Sequence, residues 1–176
     1  MAWDTRDALE ALTQAMQVEV EGRDFYLKAA DRTQDQSGKA MFRSLAADET
    51  EHYAKLKKAF DHLSSSGQWL RKEEMISRPA ARWAMPEIFP VKKAGRLVSA
   101  AADDVEALQT ALKAERASYD AYAGNRDKAD DPDAKALFAY LAEEERGHYE
   151  ILDAALQYLG DTASFFLIEE KAINEG

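Results

Sequence analysis

The sequence predicts an all-α protein, a four-helix bundle made of two helical hairpins related by a pseudo-twofold and joined by a long crossover. Three observations predict it. The 176 residues hold 8 glycines and 4 prolines against abundant Ala, Leu, Glu and Lys, a helix-forming composition. Four long segments carry apolar residues at steps of three and four, the stripe of a helix that buries one face. The second half of the chain also repeats the first. Phe42, Leu45, Glu49, His52, Leu56, Ala59 and Leu63 recur without a gap as Phe138, Leu141, Glu145, His148, Leu152, Ala155 and Leu159.

The first helix is expected to start at Asp4 or Thr5, with Asp7 in its first turn and Leu9, Leu12, Met16, Glu19, Tyr26 and Ala30 on one face. The second starts near Ser37 and ends in the cluster Ser64, Ser65, Ser66, Gly67. Residues 67–102 form the crossover; they contain Trp69, Trp83 and three of the prolines, and the tryptophans predict packing against the bundle. The third long helix opens with Asp103 and Glu106 in capping-box spacing and carries Leu108, Leu112, Glu115 and Tyr122. The fourth opens at Asp131 with Pro132 in its first turn and closes at Gly160. The remainder, 161–176, with Phe165, Phe166 and Leu167, is expected to be a docking segment. The hairpin repeats therefore span about 4–66 and 103–160 within one domain covering 1–176.

Net charge of −10 argues against a nucleic-acid partner, because binding to a phosphate backbone depends on clustered Lys and Arg. Without cysteine there are no disulfides, thiolate zinc sites, iron–sulfur clusters or rubredoxin-type iron centres in this chain. The longest apolar run with bulky residues, 136–142, is far too short to span a bilayer. A cytoplasmic protein with no membrane partner is the expectation.

The chemistry lies where the stripe breaks its own rule. Glu49 with His52, and Glu145 with His148, stand at positions that a packed helix fills with apolar residues. Burying a carboxylate costs several kcal/mol unless it is neutralised. The repeat extends into the first helix of each hairpin, where Glu19 matches Glu115, Asp24 matches Asp120 and Tyr26 matches Tyr122. A single Glu-x-x-His step says little in a chain so rich in glutamate; His62, with Ala59 three residues earlier, is the internal control. Two such steps, plus one seam glutamate on each remaining helix, match the ligand count of a di-iron or di-manganese carboxylate site. Four carboxylates balance two divalent ions, whereas without metal they repel and some must protonate. Tyr26 and Tyr122 lie two turns beyond Glu19 and Glu115; core packing is the favoured role and hydrogen bonding to a ligand carboxylate the alternative. Asp48 and Glu144, beside the seam glutamates, are expected on a solvated face, with the orienting of a ligand histidine as the alternative.

In these residues the chain resembles the rubrerythrin branch of the ferritin-like superfamily: Glu19 followed by Phe25 and Tyr26, Glu49 with His52, Glu115 followed by Tyr122, and Glu145 with His148, in that order. The resemblance implies that Glu49 and Glu145 bridge two irons, that Glu19 and Glu115 bind one iron each, and that His52 and His148 are terminal ligands. Carboxylates with imidazole suit Fe(II), with Mn(II) as the other candidate. The implied activity is reduction of hydrogen peroxide or dioxygen in oxidative-stress defence. The alternative is iron binding, storage or sensing with incidental oxidation. The resemblance further implies a homodimer and, for want of a rubredoxin centre, a separate electron-donor protein. One departure stands out. The family's extra glutamate, three residues after the third-helix ligand, is Ser118 here, and its counterpart is Gly22.

Overall fold

The computed structural model describes residues 3–76 and 102–174, with side chains described for 3–76 and 104–159. Helices α1 (Thr5–Arg32), α2 (Gln36–Ser66), α3 (Lys72–Met75), α4 (Ala102–Lys128) and α5 (Pro132–Asn174) follow in order, and no strand occurs among the described residues. The chain is an all-α bundle, as its composition and periodicity predict.

Local chemistry starts and stops the hairpins. Asp4 caps α1 by accepting from the Asp7 N–H at 2.9 Å, and Asp35 caps α2 by accepting from the Gly38 N–H at 2.7 Å. The α2 helix ends at Gly67, whose φ of 71° is the left-handed conformation that glycine adopts without strain. Asp131 accepts from the N–H groups of Asp133 and Ala134, with Pro132 opening α5 behind it. Two boundaries differ from the expected ones. The α4 helix begins at Ala102, so Asp103 lies inside its first turn rather than before it. The α5 helix does not close at Gly160 but runs on to Asn174, because an internal glycine costs a helix only about 1 kcal/mol and no proline follows to stop it. The contacts expected of 161–176, and of Trp83, lie outside the described residues.

Helices α1 and α2 pack as one hairpin, α4 and α5 as the other. At one end Trp3 N–H donates to Asp130, and at the other Thr33 Oγ1 donates to Asp104, so α1 and α4 run antiparallel. Trp69 packs as expected, its ring 6.1 Å from Trp3 and 6.2 Å from Phe138. The start of the crossover lies against α2 and α5, where Lys58 Nζ donates to the Glu74 carbonyl and the Lys72 N–H to Asp133.

The core comes in two parts. One gathers Leu12, Leu56, Leu63, Tyr122, Leu137, Phe138 and Leu141; the other gathers Tyr26, Phe42, Leu45, Leu108, Ile151 and Leu152. Each fully buried leucine contributes about 1.5–3 kcal/mol. Between the two apolar parts lies the polar layer that carries the site.

Candidate metal centre

Six of the sequence-predicted residues meet in that layer. Glu19 from α1, Glu49 and His52 from α2, Glu115 from α4, and Glu145 and His148 from α5 are all buried. The i, i+3 step places Glu49 and His52, and likewise Glu145 and His148, on the inward face of their helices. Ligand atoms of Glu19, Glu49, His52 and Glu145 lie within 4.8 Å of one another, and so do those of Glu49, Glu115, Glu145 and His148. The two sets share Glu49 and Glu145. The imidazoles stack with ring centroids 5.5 Å apart. His52 Nδ1 faces Glu145 at 3.2 Å, Glu19 at 3.3 Å and Glu49 at 3.4 Å; His148 Nδ1 faces Glu49 at 3.5 Å, Glu115 at 3.6 Å and Glu145 at 3.7 Å.

Four carboxylates in so small a volume cannot all ionise alone. Burial first, and then the neighbouring Glu49, push the Glu19 carboxyl well above its usual range; burial and the charge of Glu145 do the same to Glu115. Burial acts on Glu49 and Glu145 in the same sense, but close polar contacts outweigh it. Those from Glu19, His148 and His52 hold Glu49 down at about 2, and those from Glu115, His148 and His52 hold Glu145 well below its usual range. Burial disfavours both imidazolium ions, yet the surrounding carboxylates raise His52 and His148 well above ordinary histidine. Protons therefore take the place of cations in this layer.

The donor set fits a pair of divalent ions on its chemistry: hard oxygens, two imidazoles and four negative charges. Glu19 Oε2, His52 Nδ1, Glu115 Oε2 and Glu145 Oε1 are buried without a hydrogen bond, each aimed into the same small space. Such atoms are costly to leave unsatisfied, and a metal satisfies them together. Where present, metals would be held by Glu19, Glu49, His52, Glu115, Glu145 and His148.

Against this geometry, the family model described as Rubrerythrin matches residues 10–156. The chain belongs to the rubrerythrin family. A solved structure of a hypothetical protein from Pyrococcus furiosus is 26% identical and superposes with a TM-score of 0.65, covering 88% of this chain and 90% of that one. No curated protein matches. As a rubrerythrin-family bundle, the chain carries a candidate two-metal site of carboxylates and histidines.

The tyrosines do more than pack. Tyr26 stacks on Phe42 and Tyr122 on Phe138, each within its own hairpin. Their hydroxyls cross to the other hairpin, Tyr26 donating to Glu115 and Tyr122 to Glu19. Burial and the adjacent carboxylates push both phenols well above their usual range, so they remain donors. The preference for packing alone is corrected. Tyr26→Phe and Tyr122→Phe should each destabilise the protein by about 1–3 kcal/mol, the cost of stranding a buried acceptor, read from urea midpoints.

Asp48 and Glu144 do not lie on the solvated face favoured for them, and their surroundings fit the alternative role beside the histidines. Both are buried rather than solvated, and each lies near the outer nitrogen of a histidine from the other hairpin. Their one legible signal was the repeat itself, which pairs position 48 with 144. His62 takes no part in either ligand set.

A groove of about 840 Å³ between α1 and α4 reaches the layer. Ala11, Ala15, Val18, Gly22, Ala117 and Ser118 form its walls, and Glu49 and Glu115 lie at its base. Gly22 abuts the site: a Cβ there would stand 3.6 Å from Glu49 Cγ, an ordinary contact. No helix among the described residues is long and apolar enough to cross a membrane.

Proposed function

We propose that the protein is a di-iron carboxylate oxidoreductase that reduces hydrogen peroxide or dioxygen in defence against oxidative stress. The observation that carries this reading is the pair of overlapping four-residue ligand sets in one buried layer, sharing Glu49 and Glu145. In this reading those two glutamates would be shared by both metal ions, Glu19 and His52 would help hold one, and Glu115 and His148 the other. A bound ferrous pair would supply the two electrons that, with two protons, reduce hydrogen peroxide to two waters.

The residues of the chain hold that chemistry in place. Tyr26 and Tyr122, kept protonated, pin Glu115 and Glu19 in position. The groove beside Gly22 and Ser118 admits a small oxidant while the two apolar cores exclude bulk water from the layer. With no cysteine among these residues for a rubredoxin centre, electrons reach the bundle from a donor outside it. It works as a homodimer in the cytoplasm.

Peroxide consumption by iron-loaded protein with a supplied reductant tests the proposal. Many turnovers per site are expected. A single round of oxidation, with the iron then retained, would identify an iron store or sensor instead.

Ser118 sets a further expectation. Because it lines the groove, Ser118→Glu places a carboxylate beside Glu115 and should raise peroxide turnover several-fold by favouring the oxidised pair. Gly22→Glu is the symmetric control; its stability gain of about 1 kcal/mol from helix propensity must be subtracted. Stopped-flow kinetics in which wild type matches both variants would show that the added carboxylate carries no functional weight.

A further inference from the structure

The outer faces of the two histidines carry an arrangement that the ligand set does not explain. With His52 Nδ1 turned toward the ligand glutamates, its Nε2 points the other way and lies 3.7 Å from Glu144 Oε2 on α5. His148 Nε2 lies 3.9 Å from Asp48 Oδ2 on α2. Both contacts run between hairpins, and both carboxylates are buried beside the polar layer. Positions 48 and 144 correspond under the repeat, so the device occurs twice.

We propose that Asp48 and Glu144 are positioning residues, each accepting the Nε2–H of the opposite hairpin's histidine and thereby presenting Nδ1 to the metal pair. A neutral imidazole carries its proton on one nitrogen, and only the other can bind metal. An acceptor at Nε2 selects the productive tautomer and fixes the ring's rotation. A shift of about 1 Å completes either bond from the distances observed. The two devices are not identical. The Asp48 side chain is 12% exposed and one methylene shorter, whereas that of Glu144 is 1% exposed. The His148 face is therefore the wetter of the two.

This inference rests on the metal centre proposed above but not on its redox chemistry, so redox-inert ions test it. Zn(II) binding would be measured by calorimetry on full-length wild type, Asp48→Ala, Asp48→Asn, Glu144→Ala and Glu144→Gln. Each Ala variant should bind about 10–100-fold more weakly, and the amides should recover most of the loss, since an amide oxygen accepts the same N–H. In Co(II)-loaded protein, proton NMR should show two strongly shifted, exchangeable imidazole N–H signals. The His148 signal should exchange faster with solvent, and each Ala variant should lose or broaden one signal. Thermal melts of the metal-free variants identify any that fail to fold, for which the amide variants carry the test.

Ala variants that bind like wild type and keep both N–H signals would overturn the proposal. Amides as weak as the Ala variants would also overturn it, because packing rather than acceptance would then be responsible. Wild type that takes up neither Zn(II) nor Co(II) would overturn the metal centre itself, and the positioning role with it.

Discussion

Glu49→Ala and Glu145→Ala should each leave the protein unable to hold a pair of metal ions, whereas His52→Ala should still retain one. The difference follows from sharing. Glu49 and Glu145 belong to both four-residue sets, while His52 belongs to one. Removing a shared carboxylate strips a donor from both ions and leaves three charges to balance four; removing an imidazole takes one neutral donor from one ion. Metal analysis after equilibrium dialysis against Fe(II) or Mn(II) reads the outcome as ions per chain. Two ions retained by both glutamate variants would dismantle the bridging assignment.

Metal should also reverse the dependence of stability on pH. In the metal-free fold Glu19 and Glu115 hold protons above their ordinary value of 4.5, and His52 and His148 above 6.5. A raised value in the folded state means that the folded chain binds more protons. The contribution of these four groups is full below 4.5 for the carboxyls and below 6.5 for the imidazoles, and it is lost as pH rises through the raised values. Glu49, held at about 2, and Glu145 act in the opposite sense: their contribution is present above 4.5 and lost as pH falls. For these six groups the metal-free optimum is therefore mildly acidic, near 4.5.

Metal ions displace the four protons, so uptake should release protons and strengthen as pH rises. At a thousandfold excess over Kd the gain is about 4 kcal/mol for each ion bound. For a chain of this size that corresponds to a rise in Tm of roughly 10 °C. Melts from pH 4.5 to 8, with and without Fe(II) or Mn(II), would measure it. Parallel curves with no metal-dependent shift would move the binding site away from this layer.

Much of the centre was legible because it contradicts its surroundings. Glu49 and His52 interrupt an apolar stripe between Leu45 and Leu56, and the interruption recurs at Glu145 and His148, so a single helical period exposes them as inward polar groups. What was not legible depends on the neighbouring hairpin. Asp48 sits one residue, about 100° of helix rotation, from Glu49. On an isolated helix that direction leads to solvent, and it is buried only because His148 and its helix lie there. The tyrosines misled in a related way. Helical spacing stacks Tyr26 above Glu19, but its hydroxyl reaches Glu115, a partner 89 residues away. Helix ends depended on weaker signals. Gly67 stops a helix by taking a left-handed φ, while Gly160, with a similar sequence cue, does not.

Four contacts at the heart of the bundle, from Tyr26, Tyr122, Asp48 and Glu144, run from one hairpin to the other. Either hairpin alone therefore holds half a centre: three ligands, one tyrosine and one outer carboxylate, each aimed at a partner it does not contain. An ancestral hairpin of this kind needs only to associate with an identical copy about a twofold axis to assemble the whole. Fusion of the two copies then frees each to diverge. At the centre the halves differ at Asp48 against Glu144 and at Gly22 against Ser118, while the six ligands match pair by pair. Two separately expressed hairpins should therefore reassemble around metal.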